Sequence, residues 1–497
     1  MSQDLKVVTA QEMKRIEGLA FAQGASELTF MENAAQAIAE IISDYIDSRD
    51  LERTVTLLVG KGNNAGDVLC AGADLLERGL SVSAWSIYPA ESWGPLCKTM
   101  AERFQAKGGK IYDTDLLPNE GVILDGLVGT GFAGKAEGPL AHAIERANAS
   151  GLPIVAVDIP SGLNGSTGEV ATIAIHAALT IFLELPKLGF FLKQGWDHVG
   201  ELALALFGLA DEFKSAALAA ADLFNSERLL KLLPAIQRTR HKYQSGYVLA
   251  VGGSPSMPGA PMLASMGALR SGAGIVRLFH PEGMEALLAN APYEVIREGW
   301  DGKNTEHIQT EAKRARALLM GPGMGRTPEA HKACKAVLQA LSLPTVLDAD
   351  ALYWLAQDPK LPLSAQTILT PHQREMEALL AGATPNLENC QKFAEQKKVT
   401  LVLKGAPTIV FHPGTLPLII TRGDPGMATA GTGDVLTGVI AAMLAQGLPA
   451  RQAASVAVAL HGIAGELAAA ELTSYCLIAS DLLKFLPEAF QSLSVDF

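Results

Sequence analysis

Two short stretches combine acidic residues with glycines in a way that suits phosphate chemistry. The sharper is Gly426-Met427-Ala428-Thr429-Ala430-Gly431-Thr432-Gly433-Asp434, which runs into a segment with apolar residues at Val435, Leu436, Val439, Ile440, Met443 and Leu444. That spacing is the 3.6-residue period of a helix, so the glycines fall at a helix N-terminus. Free N–H groups and the positive end of the dipole at that point stabilise a transferring phosphoryl group. Asp434 then stands where a carboxylate takes the proton from a hydroxyl attacking phosphorus. The blander alternative is a first-turn acid that favours the dipole by about 0.3–1 kcal/mol. No Walker loop is present, which excludes a P-loop enzyme.

The second stretch, Gly60-Lys61-Gly62-Asn63-Asn64-Ala65-Gly66-Asp67, follows an apolar run and opens a segment with Val68, Leu69, Leu75 and Leu76 at helical spacing before Gly79. A strand, a Gly-rich turn and a helix N-terminus let backbone N–H groups approach an anion closely. Two more polar turns sit at expected strand ends, Asp125-Gly126-Leu127-Val128-Gly129-Thr130-Gly131 and Asp158-Ile159-Pro160-Ser161-Gly162. Oxygen groups meeting from three strand ends without Cys or His suit a hard cation such as K⁺ or Mg²⁺ beside a phosphate. The alternative is that Asp125 and Asp158 only cap the turns that follow them. A dinucleotide dehydrogenase would place an acid about 20 residues after the glycines. Glu91, behind Pro89, fits that place poorly.

Such turns need a sheet to hold them. Apolar runs at Thr54–Val59, Val82–Tyr88, Gly121–Leu127, Pro153–Ile159, Leu179–Leu185 and Leu202–Phe207 lack period-two alternation, as strands covered on both faces do. The expected fold is α/β, with a doubly wound, mostly parallel, Rossmann-like sheet in the first half. Ala210–Gln237 reads as a polar, Ala-rich helical stretch, and a new series of strands opens at Gly246–Val251. It continues at Ile275–Phe279, Ala317–Met320, Thr345–Leu347, Thr367–Leu369, Thr400–Leu403, Thr408–Phe411 and Leu418–Thr421, the last three read as antiparallel neighbours at a sheet edge. The length of 497 residues suits two domains, expected at 1–220 and 221–497.

The net charge of −12 disfavours nucleic acid and anionic membranes. Five scattered cysteines show no metal-ligand spacing and read as buried free thiols. The polar N-terminus and the want of an apolar stretch of the ~18 residues a membrane span needs lead to the expectation of a cytoplasmic protein.

The three turns of the first half together, Gly-x-Gly-Asn-Asn-x-Gly-Asp, Asp-x-Leu-x-Gly-Thr-Gly and Val-Asp-Ile-Pro-Ser-Gly-Leu-Asn, resemble the NAD(P)H-hydrate epimerase family over about residues 1–215. The resemblance implies a K⁺ ion held by Asn64, Asp125 and Ser161. It implies a substrate site lined by Asn63, Asn64, Ala65, Gly66 and Asp67, by Gly129, Thr130, Gly131, Phe132, Ala133, Gly134 and Lys135, and by Asp158. Asp158 is the candidate for proton transfer. Ala65 and Val68 stand where the family has Gly, and Val at a left-handed position would be costly, so a reshaped site is expected.

Gly-Thr-Gly-Asp before an apolar helix is similar to the ribokinase-like fold, where the Asp is the catalytic base. Val251-Gly252-Gly253-Ser254, Gly321-Pro322-Gly323-Met324-Gly325-Arg326, Leu347-Asp348-Ala349-Asp350, Leu369-Thr370-Pro371-His372 and Leu403-Lys404-Gly405-Ala406-Pro407-Thr408 narrow the likeness to NAD(P)H-hydrate dehydratases over about residues 225–495. By that likeness Lys404, Gly405, Ala406, Pro407, Thr408, Gly431, Thr432 and Gly433 contact the nucleotide. Ala260, Gly325, His372 and Asp434 face the hydrated dinucleotide. The implied chemistry is ADP-dependent repair of NADHX and NADPHX with Mg²⁺, the epimerase supplying the one epimer that the dehydratase takes, in a homo-oligomer. Two other readings stay open: a small-molecule kinase of ribokinase-like fold, and a noncatalytic binding module in the first half.

Overall fold

Strands form where apolar runs are covered on both sides. The computed structural model describes residues 4–115, 117–289 and 291–493. It divides into two units, Leu5–Ala221 and, with Asp4, the chain from Asp222 onward.

In the first unit Leu5–Val7 (β1) precedes Thr54–Val59 (β2), Ser81–Ser86 (β3), Lys110–Tyr112 (β4), Val122–Gly126 (β5), Ile154–Val157 (β6), Leu179–Leu183 (β7) and Glu201–Ala205 (β8). The last seven make a wholly parallel sheet in the order β4-β3-β2-β5-β6-β7-β8. Alternate residues feed two cores, as the strand period of two requires. Val55, Leu57 and Val59 pack with the helices Glu27–Ser48, Asn63–Glu77 and Pro95–Ala106, whereas Leu58 and Ile123 pack with the helix Pro139–Asn148. The chain runs outward from β2 in one direction and from β5 in the other. Between those two strands lies the crevice that open α/β sheets use for ligands.

The second unit carries Ala221–Leu223 (β9), Tyr247–Val251 (β10), Ile275–Pro281 (β11), Val295–Trp300 (β12), Ala317–Met320 (β13), Thr345–Leu347 (β14), Thr367–Leu369 (β15), Thr400–Leu403 (β16), Thr408–Phe411 (β17) and Leu418–Ile420 (β18). From β9 the order runs β18-β17-β16-β15-β14-β13-β10-β11-β12, parallel from β16 through β12. Strands β16, β17 and β18 are antiparallel as expected, but they are not the sheet edge, because β9 pairs in parallel beyond β18. That strand interrupts the stretch expected to be helical, which holds only the short helices Asp211–Ala216 and Leu229–Leu232.

The helices Gly259–Arg270 and Thr432–Ala445 cross at very short range. A Cβ on Gly438 would fall on the Ala264 carbonyl oxygen, and one on Gly267 on that of Val435. Only glycine permits that approach. The helix Ala450–Leu472 is long and apolar enough to cross a membrane by length and composition, contrary to the sequence expectation, yet 78% of its apolar window is buried inside the protein. It serves as a core helix here. Cys70, Cys97, Cys334 and Cys390 are buried, but Cys476 is exposed, because it sits in the turn after that helix.

Candidate active sites

The Gly-rich turn after β2 leads at once into the helix Asn63–Glu77. Ala65 and Val68 lie inside this helix, and neither has positive φ, so the expected strain at Val68 does not arise. The methyls of Val68 fill the space where Gly126 lacks a Cβ. A pocket of about 660 Å³ opens above the strand ends, lined by Asn63, Asn64 and Asp67, by Gly129 through Ala133, and by Asp158. Ala65 and Gly66 are instead buried in the helix, and Gly134 and Lys135 do not reach the lining.

Asp158 has φ +67°, a left-handed conformation that costs a non-glycine residue about 1–3 kcal/mol and gathers at functional sites. Its Oδ2 accepts from Thr130 N at 3.2 Å. Lys187 Nζ stands 2.6 Å from Oδ1 in a contact of charge, since Oδ1 has no hydrogen-bond partner. Lys187 is fully buried and donates to the Leu183 carbonyl at 3.0 Å. Asp67 is buried too, and its carboxyl is pushed well above the usual range by burial and by the charges of Asp158 and Glu17.

Asp125 does cap its turn, accepting from Leu127 N at 3.1 Å, and it also ties two strand ends together by accepting from Ser161 N at 2.8 Å and Ser161 Oγ at 2.7 Å. Burial pushes its carboxyl up to about 6 despite those bonds. Asn64 Nδ2 donates to the Val128 carbonyl at 2.9 Å, which leaves the buried Asn64 Oδ1 without a partner. Ser161 Oγ lies 3.3 Å from the same carbonyl. An orphaned amide oxygen beside hydroxyl, carbonyl and carboxylate oxygens fits a hard cation of the K⁺ type. Among the described residues no group of three or more His, Cys, Asp or Glu is placed to hold a metal.

In the second unit Gly431, at φ +95°, precedes the helix Thr432–Ala445 and puts Asp434 in its first turn. A Cβ at Gly431 would press Leu263 and Ala479. Thr432 Oγ1 bonds the Met427 and Thr429 carbonyls at 3.0 Å each, and His461 Nε2 donates to the Thr432 carbonyl at 3.0 Å. Burial holds His461 down at about 4, so this donor is neutral at working pH.

Strands β14, β15 and β16 are sheet neighbours, so the residues after them meet. Lys404 Nζ donates to Asp348 Oδ1 at 2.8 Å and lies 3.9 Å from Glu375 Oε2. Thr437 Oγ1, one turn beyond Asp434, donates to Asp348 Oδ2 at 2.7 Å. A Cβ on Gly433 would come 3.3 Å from Lys404 Nζ. Burial by itself would lower the Lys404 ammonium, but the Asp348 and Glu375 charges raise it above the usual range. Asp434 is pushed up to about 7 by burial and then by Asp348, with Lys404 opposing.

His372 has a structural role that its sequence position hides. Its Nδ1 caps the helix Gln373–Leu379, accepting from Arg374 N at 3.2 Å and Glu375 N at 3.3 Å, while Glu375 Oε2 accepts from His372 N at 2.9 Å. The ring stays half-exposed, and the His372 backbone pairs with that of Lys404. Gly325 N donates to Asp350 Oδ2 at 2.8 Å and lines a second pocket, of about 720 Å³, at the ends of β10, β11 and β12. Ala260, His372 and Asp434 do not line that pocket, although the charge of Asp350 is one of those raising Asp434.

Four participants were given no role from sequence: Glu17, Lys187, Glu375 and Asp348, the last named only within its motif. Lys187 follows β7 and Asp348 follows β14, so the strand-end rule that found Asp158 applies to both. Glu17 lies in the helix Ala10–Ala22, with no glycine motif beside it to draw notice.

The family model described as NAD(P)H-hydrate dehydratase matches residues 248–488, and the YjeF-related protein N-terminus matches residues 27–189. The bifunctional NAD(P)H-hydrate repair enzyme of Moorella thermoacetica is 34% identical, over 98% of this chain and 97% of its own. That of Vibrio cholerae is 35% identical, over 97% of each. A solved ribokinase-like superfamily protein from Enterococcus faecalis is 28% identical with a TM-score of 0.50, covering 55% of this chain and 96% of that one. A likeness that spans both pockets and nearly the whole of both chains leaves one conclusion: the chain belongs to the bifunctional NAD(P)H-hydrate repair enzyme family.

Proposed function

We propose that this chain restores hydrated NADH and NADPH in two steps, the first unit interconverting the R and S hydrates and the second dehydrating the S hydrate at the expense of ADP. The observation that carries the reading is Asp434, a carboxyl at about 7 in the first turn of a Gly-capped helix with Lys404 behind it.

In the hydrate, water has added across the enamine double bond of the ring, and hydroxide leaves poorly. Asp434 takes the proton of the ring hydroxyl as its oxygen attacks the terminal phosphorus of ADP, and AMP leaves. The helix N-terminal amides of Gly431 to Gly433 face the phosphoryl oxygens. Lys404, held by Asp348, presents its charge to the same group, with Gly405, Ala406, Pro407 and Thr408 bordering the nucleotide. Breaking the C–O bond then releases phosphate, and loss of a proton from the neighbouring carbon restores NADH or NADPH. Mg²⁺, when bound, offsets phosphate charge; Asp348 and Asp350 are already engaged by protein donors, so it would be held chiefly through the phosphates. Ala260, Gly325 and His372 orient the dinucleotide.

In the first unit Asn64, Asp125 and Ser161 would hold a K⁺ type cation, which would offset charge on the substrate's diphosphate. Asp158 moves the proton at the ring hydroxyl. The reading brings with it a cytoplasmic homo-oligomer acting on small molecules, its assembly to be read by light scattering. The decisive assay offers chemically prepared S hydrate with ADP and Mg²⁺ and follows reduced-nicotinamide absorbance. Recovery with release of AMP and phosphate is expected. A stable phosphorylated alcohol without recovery identifies a kinase instead.

A further inference from the structure

Epimerising a carbon that bears a hydroxyl needs a proton delivered as the C–O bond breaks and a proton removed as it re-forms. One carboxylate does only half of that. Asp158, paired with Lys187, is the carboxylate half. The pocket that holds it also contains Glu17, from the helix Ala10–Ala22, with Phe21 and Met31 beside it.

Glu17 has no hydrogen bond or ion pair among the described residues and is aimed into the pocket rather than engaged by the fold. The same cavity is lined by the nine-tenths buried Asn64, whose Oδ1 is unpartnered, and by the strained Asp158. These features are those of a site built around a ligand. The charged groups facing Glu17 are Lys14 on its own helix, Glu27 on the next, Asp67, Asp158 and Lys187. Burial and the Asp158 charge push Glu17 up to about 7. Asp67, the other acid in the pocket, is raised well above the ordinary range by burial and by the charges of Asp158 and Glu17.

We propose that Glu17 is the second catalytic carboxyl of this pocket, forming with Asp158 a pair that shares one proton across the hydrated nicotinamide ring. The proposal rests on the epimerase reading above. In one direction Glu17 protonates the ring hydroxyl, the C–O bond breaks with the ring nitrogen lone pair, and water departs. Asp158 then takes a proton from water adding to the other face of the cation, so the hydroxyl is restored with inverted configuration. One proton has passed from Glu17 to Asp158, and exchange with solvent returns it. The opposite epimer uses the same pair with the proton on Asp158. Both directions therefore need a singly protonated pair, and both slow as pH rises through about 7.

The test uses the full chain. R and S interconversion is followed by chromatography from pH 6 to 9 in wild type, Glu17→Gln and Glu17→Asp, with ADP-dependent dehydration of the S hydrate as the control for folding. The expected result is a loss of about 10²-fold or more in epimerisation for Glu17→Gln, the size a missing general acid gives. Dehydration should be unchanged, the fall above pH 7 absent, and Glu17→Asp partly active with the fall restored. Epimerisation by Glu17→Gln at the wild-type rate, or slowed equally at every pH with the fall intact, overturns the proposal. A wild-type chain that does not epimerise overturns the epimerase reading itself.

Discussion

A carboxyl that titrates near 7 is half ionised at neutral pH, and Asp434 reaches that value because burial and Asp348 outweigh Lys404. In the proposed role of base it must be ionised, so dehydration should rise with pH through about 7 and level off above it. Asp348→Asn removes a charge that raises Asp434 and leaves Lys404, which lowers it, without its closest anion. Both effects act in one direction. The midpoint of the kcat profile should move below that of the wild type, and an unmoved midpoint would mean another group is the base. Asp434→Asn should cost about 10²–10⁴ in kcat. It should also stabilise the fold above pH 7. The folded carboxyl holds its proton more tightly than the unfolded one, so stability falls as pH rises from the unfolded value toward 7, and the amide escapes that loss. A gain on the order of 1 kcal/mol, read from chemical unfolding at pH 8, is expected. Asp434 was legible in sequence because its glycines and helix period are local. Asp348 was not, because its part depends on two neighbouring strands bringing Lys404 to it. The capping role of His372 was hidden for a different reason: histidine is not among the residues that favour such positions.

Elements carry the same logic at longer range. Asp434 is placed by the helix Thr432–Ala445, and that helix is placed by its close crossing with Gly259–Arg270. Gly438→Ala would drive a methyl into the Ala264 carbonyl, which is backbone and cannot swing aside. The helices must part, at a cost of about 3 kcal/mol or more. Melting of the second unit should fall by on the order of 5–10 °C, with dehydration lost and epimerisation kept. Calorimetry with both assays on one sample checks this, and an unaltered melting profile would refute the crossing as the device that places Asp434. The sequence showed the central strands, because burial on both faces makes a continuous apolar run. It missed β1, β4, β9 and β12, with sequences Leu5-Lys6-Val7, Lys110-Ile111-Tyr112, Ala221-Asp222-Leu223 and Val295-Ile296-Arg297-Glu298-Gly299-Trp300. Strands β1, β4 and β9 have three residues each, and in β12 only Val295 is buried. Strands so short or so little buried leave no continuous apolar run to read.

At the scale of the molecule each unit builds a pocket from its own residues at strand ends of its own sheet, beside β2 and β5 in one and beside β10, β11 and β12 in the other. The ordinary route for an S hydrate between the two sites is release to solvent and recapture. Two damaged chains test that route: Asp158→Asn, expected to lack epimerisation, and Asp434→Asn, expected to lack dehydration. Neither should convert pure R hydrate to NADH faster than the spontaneous background. Mixed in equal amounts, they should do so at about half the rate of the same total amount of wild type, after a lag while S hydrate accumulates in solution. A mixture that stays near background, while each variant keeps its remaining activity in full, requires transfer within one chain and would refute release to solvent.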